Sequence, residues 1–280
     1  MKTLIIISVT FFFSYSIYAS DSDPSGNYKS YNVKSTLDET EYSGKVFKPL
    51  NTSTKFILLI PPNIAGLTSL EYTMGSYFAS NGYLVLMTNE FKSELSSQSP
   101  DTQKADSDFL KLATGPLHLL SIVEKTFDLP KDLPVFLLGA SQGAIASIMI
   151  ASEFPRARAM WFTVGGGDLP KIYSTSLVPQ VVQFRINHKR VLGIKGNSDY
   201  EAYLRANLKN DPGIACKNIS MPFHQTIALY DDMVPTQTQE YLVDNCPPHQ
   251  IKRVRTDHIF GANTLIGDRE EIKDFFESSI

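Results

Sequence analysis

Five short apolar runs set the tightest limit on what this chain can become. FILLI at 56–60, YLVLM at 83–87, VFLL at 135–138, AMWFT at 159–163 and IALY at 227–230 show no apolar–polar alternation. A strand of that kind buries both faces, which a parallel sheet covered by helices on each side permits. The intervening segments suit those helices. Residues 70–81 are helix-compatible and end at Gly82, a good residue just past a helix. Residues 106–127 read as a helix weakened at Gly115-Pro116, and residues 144–153, 239–243 and 269–276 supply three more. The alternation predicts an α/β fold with a mostly parallel central sheet flanked by helices.

Other parts of the chain fit around that plan. Residues 31–37 and 45–47 look like short strands with a turn near Gly44, and 251–255 alternates apolar and basic as an edge-ward strand would. Residues 92–104 read as a polar loop. The fourth and fifth runs are separated by residues 164–224, longer than the usual crossover, so a small helical cap insertion is expected there.

The N-terminus carries an address. In MKTLIIISVTFFFSYSIYAS, Lys2 precedes an apolar core at 4–13, and Ala19 offers a small-residue cleavage point. This reads as a secretory signal peptide over 1–19, leaving 20–280 as one domain. The apolar core is shorter than the ~20 residues of a membrane span, so no stable anchor should survive cleavage. Residues 20–30 look like a frayed mature terminus. The expected location is secreted or periplasmic. Cys216 and Cys246 fit one disulfide in an oxidising compartment, or two buried free thiols. The net charge is 26 − 29 = −3 with no long basic run, which argues against a nucleic-acid partner.

Chemistry concentrates at Gly139-Ala140-Ser141-Gln142-Gly143. This G-x-S-x-G follows the VFLL run and opens AIASIMIASE, the strand–turn–helix setting of a nucleophile elbow. The turn is sharp, so the residues two before and two after the serine must lack bulk, and both are Gly. The competing reading is a structural glycine turn. A serine hydroxyl needs a base and an orienting carboxylate to attack an acyl carbon. Five histidines are available, at 118, 188, 224, 249 and 258.

GASQG, YDDMVP and TDHIFGAN together resemble the Ser…Asp…His order of the α/β-hydrolase superfamily, over roughly residues 40–280. PPNIAG followed by a helix and SNGYLVLMTNE is similar to its dienelactone-hydrolase-like branch. The resemblance implies an α/β-hydrolase fold with Ser141 as nucleophile, His258 as base and Asp231 as acid, Asp232 being the alternative acid. Asp257 is set aside, because chain neighbours rarely bring their side chains into contact. His118 and His224 are expected to be structural, and His188 and His249 exposed.

The developing oxyanion needs N–H donors. Gln142, after the nucleophile, supplies one. The second should come from the loop after the first run, where Pro61 and Pro62 have no N–H, so Asn63 or Ile64 must serve. Pro61-Pro62 stands where the family commonly has His-Gly, and Tyr230 where many relatives have Gly. No metal-ligand spacing or phosphate-binding loop appears, so no cofactor or metal is expected. The implied function is a secreted serine hydrolase acting on a carboxylic ester or related acyl bond of a small molecule. A peptidase or acyltransferase on the same triad, or a non-catalytic binding module, shares the same fold. The LVPQVVQF segment at 177–184 is either cap core or a lipid-facing surface. Sequence is silent on oligomeric state.

Overall fold

The computed structural model describes residues 4–5, 15–22, 26–50 and 53–280. The apolar core of the predicted signal peptide lies almost wholly outside them. The chain opens with four antiparallel strands, β1 (Leu4–Ile5), β2 (Tyr15–Ser22), β3 (Tyr28–Leu37) and β4 (Thr40–Pro49). Strand–helix alternation follows: β5 (Phe56–Ile60), α1 (Ser69–Ser80), β6 (Tyr83–Thr88), α2 (Thr102–Thr126), β7 (Val135–Ala140), α3 (Gln142–Glu153) and β8 (Ala157–Thr163). Four helices come next, α4 (Leu169–Thr175), α5 (Pro179–Leu192), α6 (Asn197–Asn207) and α7 (Pro212–Ala215). The chain ends with β9 (Phe223–Ala228), α8 (Thr236–Asn245), β10 (Gln250–Val254), α9 (His258–Gly267) and α10 (Arg269–Glu277).

All the strands join one sheet, ordered β1-β2-β3-β4-β6-β5-β7-β8-β9-β10. The six from β6 to β10 in that order are parallel. Four of the five apolar runs serve two cores, while the fifth is displaced: its strand is Phe223–Ala228, and Leu229 and the exposed Tyr230 lie in the turn beyond it. Ile57 and Leu59 face a cluster with α2 and α3, while Leu58 and Ile60 face one with α1 and α10. That two-sided burial is why these runs lack alternation. The chain leaves β5 toward β6, then returns to place β7 on the other side of β5. The carboxyl ends of β5 and β7 therefore border a topological switch point, where open α/β sheets hold their ligands.

Several local expectations are corrected. The turn between the first long strands lies at Asp38 and Glu39, both at positive φ, not near Gly44. Gly44 sits inside β4, where a Cβ would come within 2.5 Å of the Met87 carbonyl oxygen. Helix α2 starts before the predicted 106, because the Asp101 carboxylate caps it by accepting the Lys104 N–H at 2.9 Å. It also runs unbroken through Pro116. Residues 28–30 belong to β3 rather than to a frayed end. Residues 15–19 of the predicted signal peptide lie in β2, at the β3 edge.

Cys216 and Cys246 form a disulfide with Cα atoms 6.0 Å apart. Among the described residues, no helix is long and apolar enough to cross a membrane.

Candidate active site

Ser141 stands between β7 and α3 with φ 56° and ψ −121°, a strained conformation for a residue with a side chain. The neighbours make that turn feasible. A Cβ on Gly139 would overlap the Gly143 carbonyl, and one on Gly143 would approach the Pro61 carbonyl oxygen at 3.3 Å. The Ser141 N–H donates to the Thr163 carbonyl at 3.1 Å, tying the elbow to β8.

His258 opens α9, beyond β10. Its Nε2 lies 3.0 Å from Ser141 Oγ, and its Nδ1 lies 2.7 Å from Asp231 Oδ2. Residues 117 and 27 positions apart in sequence thus form one buried hydrogen-bonded chain. Asp231 lies in the turn after β9. Its Oδ1 accepts the N–H groups of Met233 and Val234, each at 2.9 Å. Its Oδ2 also accepts from Gln239 Nε2 at 2.8 Å. Asp232, next in sequence, is exposed. Asp257 caps α9 by accepting the Phe260 N–H at 3.0 Å, so it is engaged elsewhere.

Gln142 is the first residue of α3, where a helix N–H has no intrahelical partner. Ile64 lines the same pocket as Ser141 and Gln142, whereas Asn63 does not. Asn63 instead builds the loop. Its carbonyl accepts the Gly66 N–H at 2.9 Å, and its side-chain amide donates to Glu71 at 3.3 Å. Among the described residues, the N–H groups of Asn63 and Ile64 enter no hydrogen bond.

No protein-family model matches the chain, and no curated protein matches it by sequence. Solved structures do match. Acetyl xylan esterase 1 from Thermoanaerobacterium sp. JW/SL YS485 is 16% identical with a TM-score of 0.68, over 91% of this chain and 87% of that one. The acetyl xylan esterase from Paenibacillus sp. R4 is 13% identical with a TM-score of 0.69, over 95% and 89%. The acylaminoacyl peptidase of Pyrococcus horikoshii is 14% identical with a TM-score of 0.66, over 95% of this chain and 48% of that one. The chain has the α/β-hydrolase fold. At these identities the likeness carries the fold and nothing finer.

In this fold an open pocket reaches Ser141. Ile172 of α4, Val181 of α5, Ile145 of α3 and Met233 wall it, so the helices between β8 and β9 roof the site. Within LVPQVVQF, Val178, Val181 and Phe184 are buried and Leu177 is exposed, so the segment is mainly core. Gln239 was not legible in the sequence. It is fully buried on α8, donating to Asp231 and to the Val234 carbonyl and accepting the Ala228 N–H. Only its position on a helix just past the acid turn hinted at the role.

The other histidines lie apart. His188 is buried, not exposed as expected, with its ring nitrogens 3.0 Å from Thr102 Oγ1 and from Tyr200 Oη. A helix face turned inward against α2 and α6 hides it. His249 is exposed, and His118 is half-buried, 2.8 Å from Ser35 Oγ. His224 is buried and stacks on Trp161 at 3.5 Å between centroids. Burial lowers its pKa to about 4, with Lys252 pushing the same way and Asp268 opposing.

That depression has a signed consequence. As pH falls below 6.5 the unfolded chain takes up the His224 proton first, so folding stability is lost down to pH 4. The expected loss from this group is about 2–3 kcal/mol by pH 4.5. Urea unfolding at pH 7 and pH 4.5 should show His224→Phe losing less stability than wild type by that amount. An equal loss in both proteins would rule out His224 as the acid-labile group.

Proposed function

We propose that the chain is a secreted serine hydrolase that cleaves a carboxylic ester through an acyl-enzyme. The observation that carries this reading is the unbroken series Asp231–His258–Ser141, with contacts of 2.7 and 3.0 Å. His258 Nε2 takes the Ser141 proton as Oγ attacks the acyl carbon. Asp231 holds the Nδ1–H tautomer and stabilises the imidazolium. The N–H of Gln142, with that of Ile64 or Asn63, receives the developing oxyanion. The imidazolium protonates the departing alkoxide, and a water activated by His258 then releases the acid. Cleavage of a peptide bond on the same triad is the second reading, favoured by the match to an acylaminoacyl peptidase.

Export is part of the proposal. Residues 1–19 act as the cleaved signal peptide, and the Cys216–Cys246 disulfide fits an oxidising destination. Cleavage at Ala19 takes away residues 15–19 of β2 and leaves β3 paired with β4.

One experiment tests the whole reading. The exported protein is treated with a fluorophosphonate and its intact mass taken, while p-nitrophenyl esters and peptide anilides are assayed in parallel. The expected result is a single adduct mapping to Ser141, a chain beginning at Ser20, and turnover of esters above anilides. An adduct at another residue, or anilide turnover exceeding ester turnover, overturns the corresponding part.

A further inference from the structure

The pocket beside Ser141 has a chemical character that narrows its substrate. This inference rests on the serine-hydrolase reading and concerns the same site. A leaving group must reach His258 to be protonated. His258 and the exposed Ile259 and Phe260 after it do not line the pocket, whereas Ser141 and Gln142 do. The pocket therefore takes the acyl side of the ester, and the alcohol side faces the Phe260 rim.

A second compartment with room for about one water-sized group adjoins the first, and Leu95, Phe109, Gln142 and Tyr173 line both. Most polar groups in these walls are already used. Ser176 Oγ donates to the Met233 carbonyl and accepts the Val178 N–H. Asp108 accepts from the Glu94 N–H and from Lys111. Two groups stand apart. Gln142 Oε1 is enclosed and has no hydrogen-bond partner among the described residues. Tyr173 is only 6% exposed, yet its hydroxyl enters no hydrogen bond among the described residues. That hydroxyl is not among the fully enclosed unpartnered atoms, so its remaining contact is with the cavity. Its ring is held by Phe109 and Phe184, with centroids 6.0 and 4.9 Å away.

We propose that the acyl group bound here carries a hydroxyl, which accepts from the Tyr173 O–H and, once the part-buried Gln142 side chain turns toward the cavity, donates to its Oε1. A buried polar atom without a partner is unfavourable, and one hydroxyl completes both. Burial raises the Tyr173 pKa, which keeps the phenol a donor. A plain alkanoyl chain fills the same apolar walls and leaves both groups unpaired, and such mismatches are what polar sites reject most strongly.

The test uses two matched pairs of p-nitrophenyl esters, 3-hydroxyoctanoate with octanoate and 6-hydroxyhexanoate with hexanoate. In at least one pair, wild type is expected to show kcat/KM about tenfold higher for the hydroxylated ester. Tyr173→Phe and Gln142→Leu should each bring that ratio toward one. Turnover of all four esters without preference in either pair overturns the inference, as does a preference that survives Tyr173→Phe. Tyr173→Phe should also melt at or above the wild-type temperature, since its hydroxyl has no partner to lose. A melting point several degrees lower would assign that hydroxyl a structural bond and overturn the inference. No turnover of any ester and no label at Ser141 counts instead against the hydrolase reading. The inference then stands or falls by calorimetry, with free 3-hydroxyoctanoate binding more tightly than octanoate in support, and equal binding against.

Discussion

Ser141→Ala is expected to lower kcat/KM for a p-nitrophenyl ester by roughly 10⁵–10⁶, and His258→Ala by a similar factor. In the proposed mechanism the two side chains act as one unit, because the hydroxyl attacks only as the imidazole 3.0 Å away takes its proton. Losing either removes the whole nucleophilic route, so the double variant should be no slower than each single one. Both variants keep the backbone N–H of Gln142, so a small acceleration over water should persist from the oxyanion donors. Neither change threatens the fold. Ser141→Ala keeps the same backbone turn and removes only an oxygen. Steady-state assays on freshly purified protein decide the matter, with circular dichroism as a folding control. A Ser141→Ala protein retaining about a hundredth of wild-type activity would place the nucleophile elsewhere.

The sequence carried the parallel sheet because burial on two faces leaves a composition signature in four of the runs. Ile57 and Leu58 point to opposite cores, so neither position could be polar. The elbow was equally legible, since sterics demand glycine at 139 and leave little room for a side chain at 143. Cap-driven boundaries were harder. Asp101 starts α2 inside what reads as a polar loop, and α9 starts within TDHIFGAN, at His258, just past the end of β10 at Val254. Helix burial also misled the reading of His188, because polar neighbours in sequence say nothing about which side of α5 faces α2. Gln239 was invisible for a deeper reason. Its task is to complete the hydrogen bonds of a buried carboxylate, and any well-placed donor could do so. Val164, β-branched yet at φ 48°, was no more legible, since its backbone is held by a neighbouring strand, its N–H donating to the Thr226 carbonyl at 2.9 Å.

Asp231→Asn should cost about 10⁴ in kcat/KM, close to 5.5 kcal/mol of transition-state stabilisation, while Asp232→Asn should change activity less than about twofold. The difference follows from what each carboxylate touches. Asp231 accepts four hydrogen bonds, two from backbone N–H groups, one from Gln239 and one from His258. Every one of those partners is a donor. An asparagine brings its own NH₂ into this ring of donors, and in either orientation it meets at least one of them head-on. With the NH₂ toward His258, Nδ1 must become the acceptor and the proton moves to Nε2. The imidazole then offers Ser141 an N–H where an acceptor is required, and the proton on Oγ has nowhere to go. With the NH₂ turned away, it faces the Met233 and Val234 N–H groups and pushes the acid turn apart. Asp232 is exposed, and among the described residues only its backbone carbonyl is engaged, by the Leu177 N–H at 3.0 Å. Parallel kcat/KM measurements from pH 6 to 10 separate the two residues. Asp231→Asn should recover part of its activity at high pH, where hydroxide can replace the missing base. Collapse of Asp232→Asn with Asp231→Asn intact would transfer the orienting role one residue along the chain.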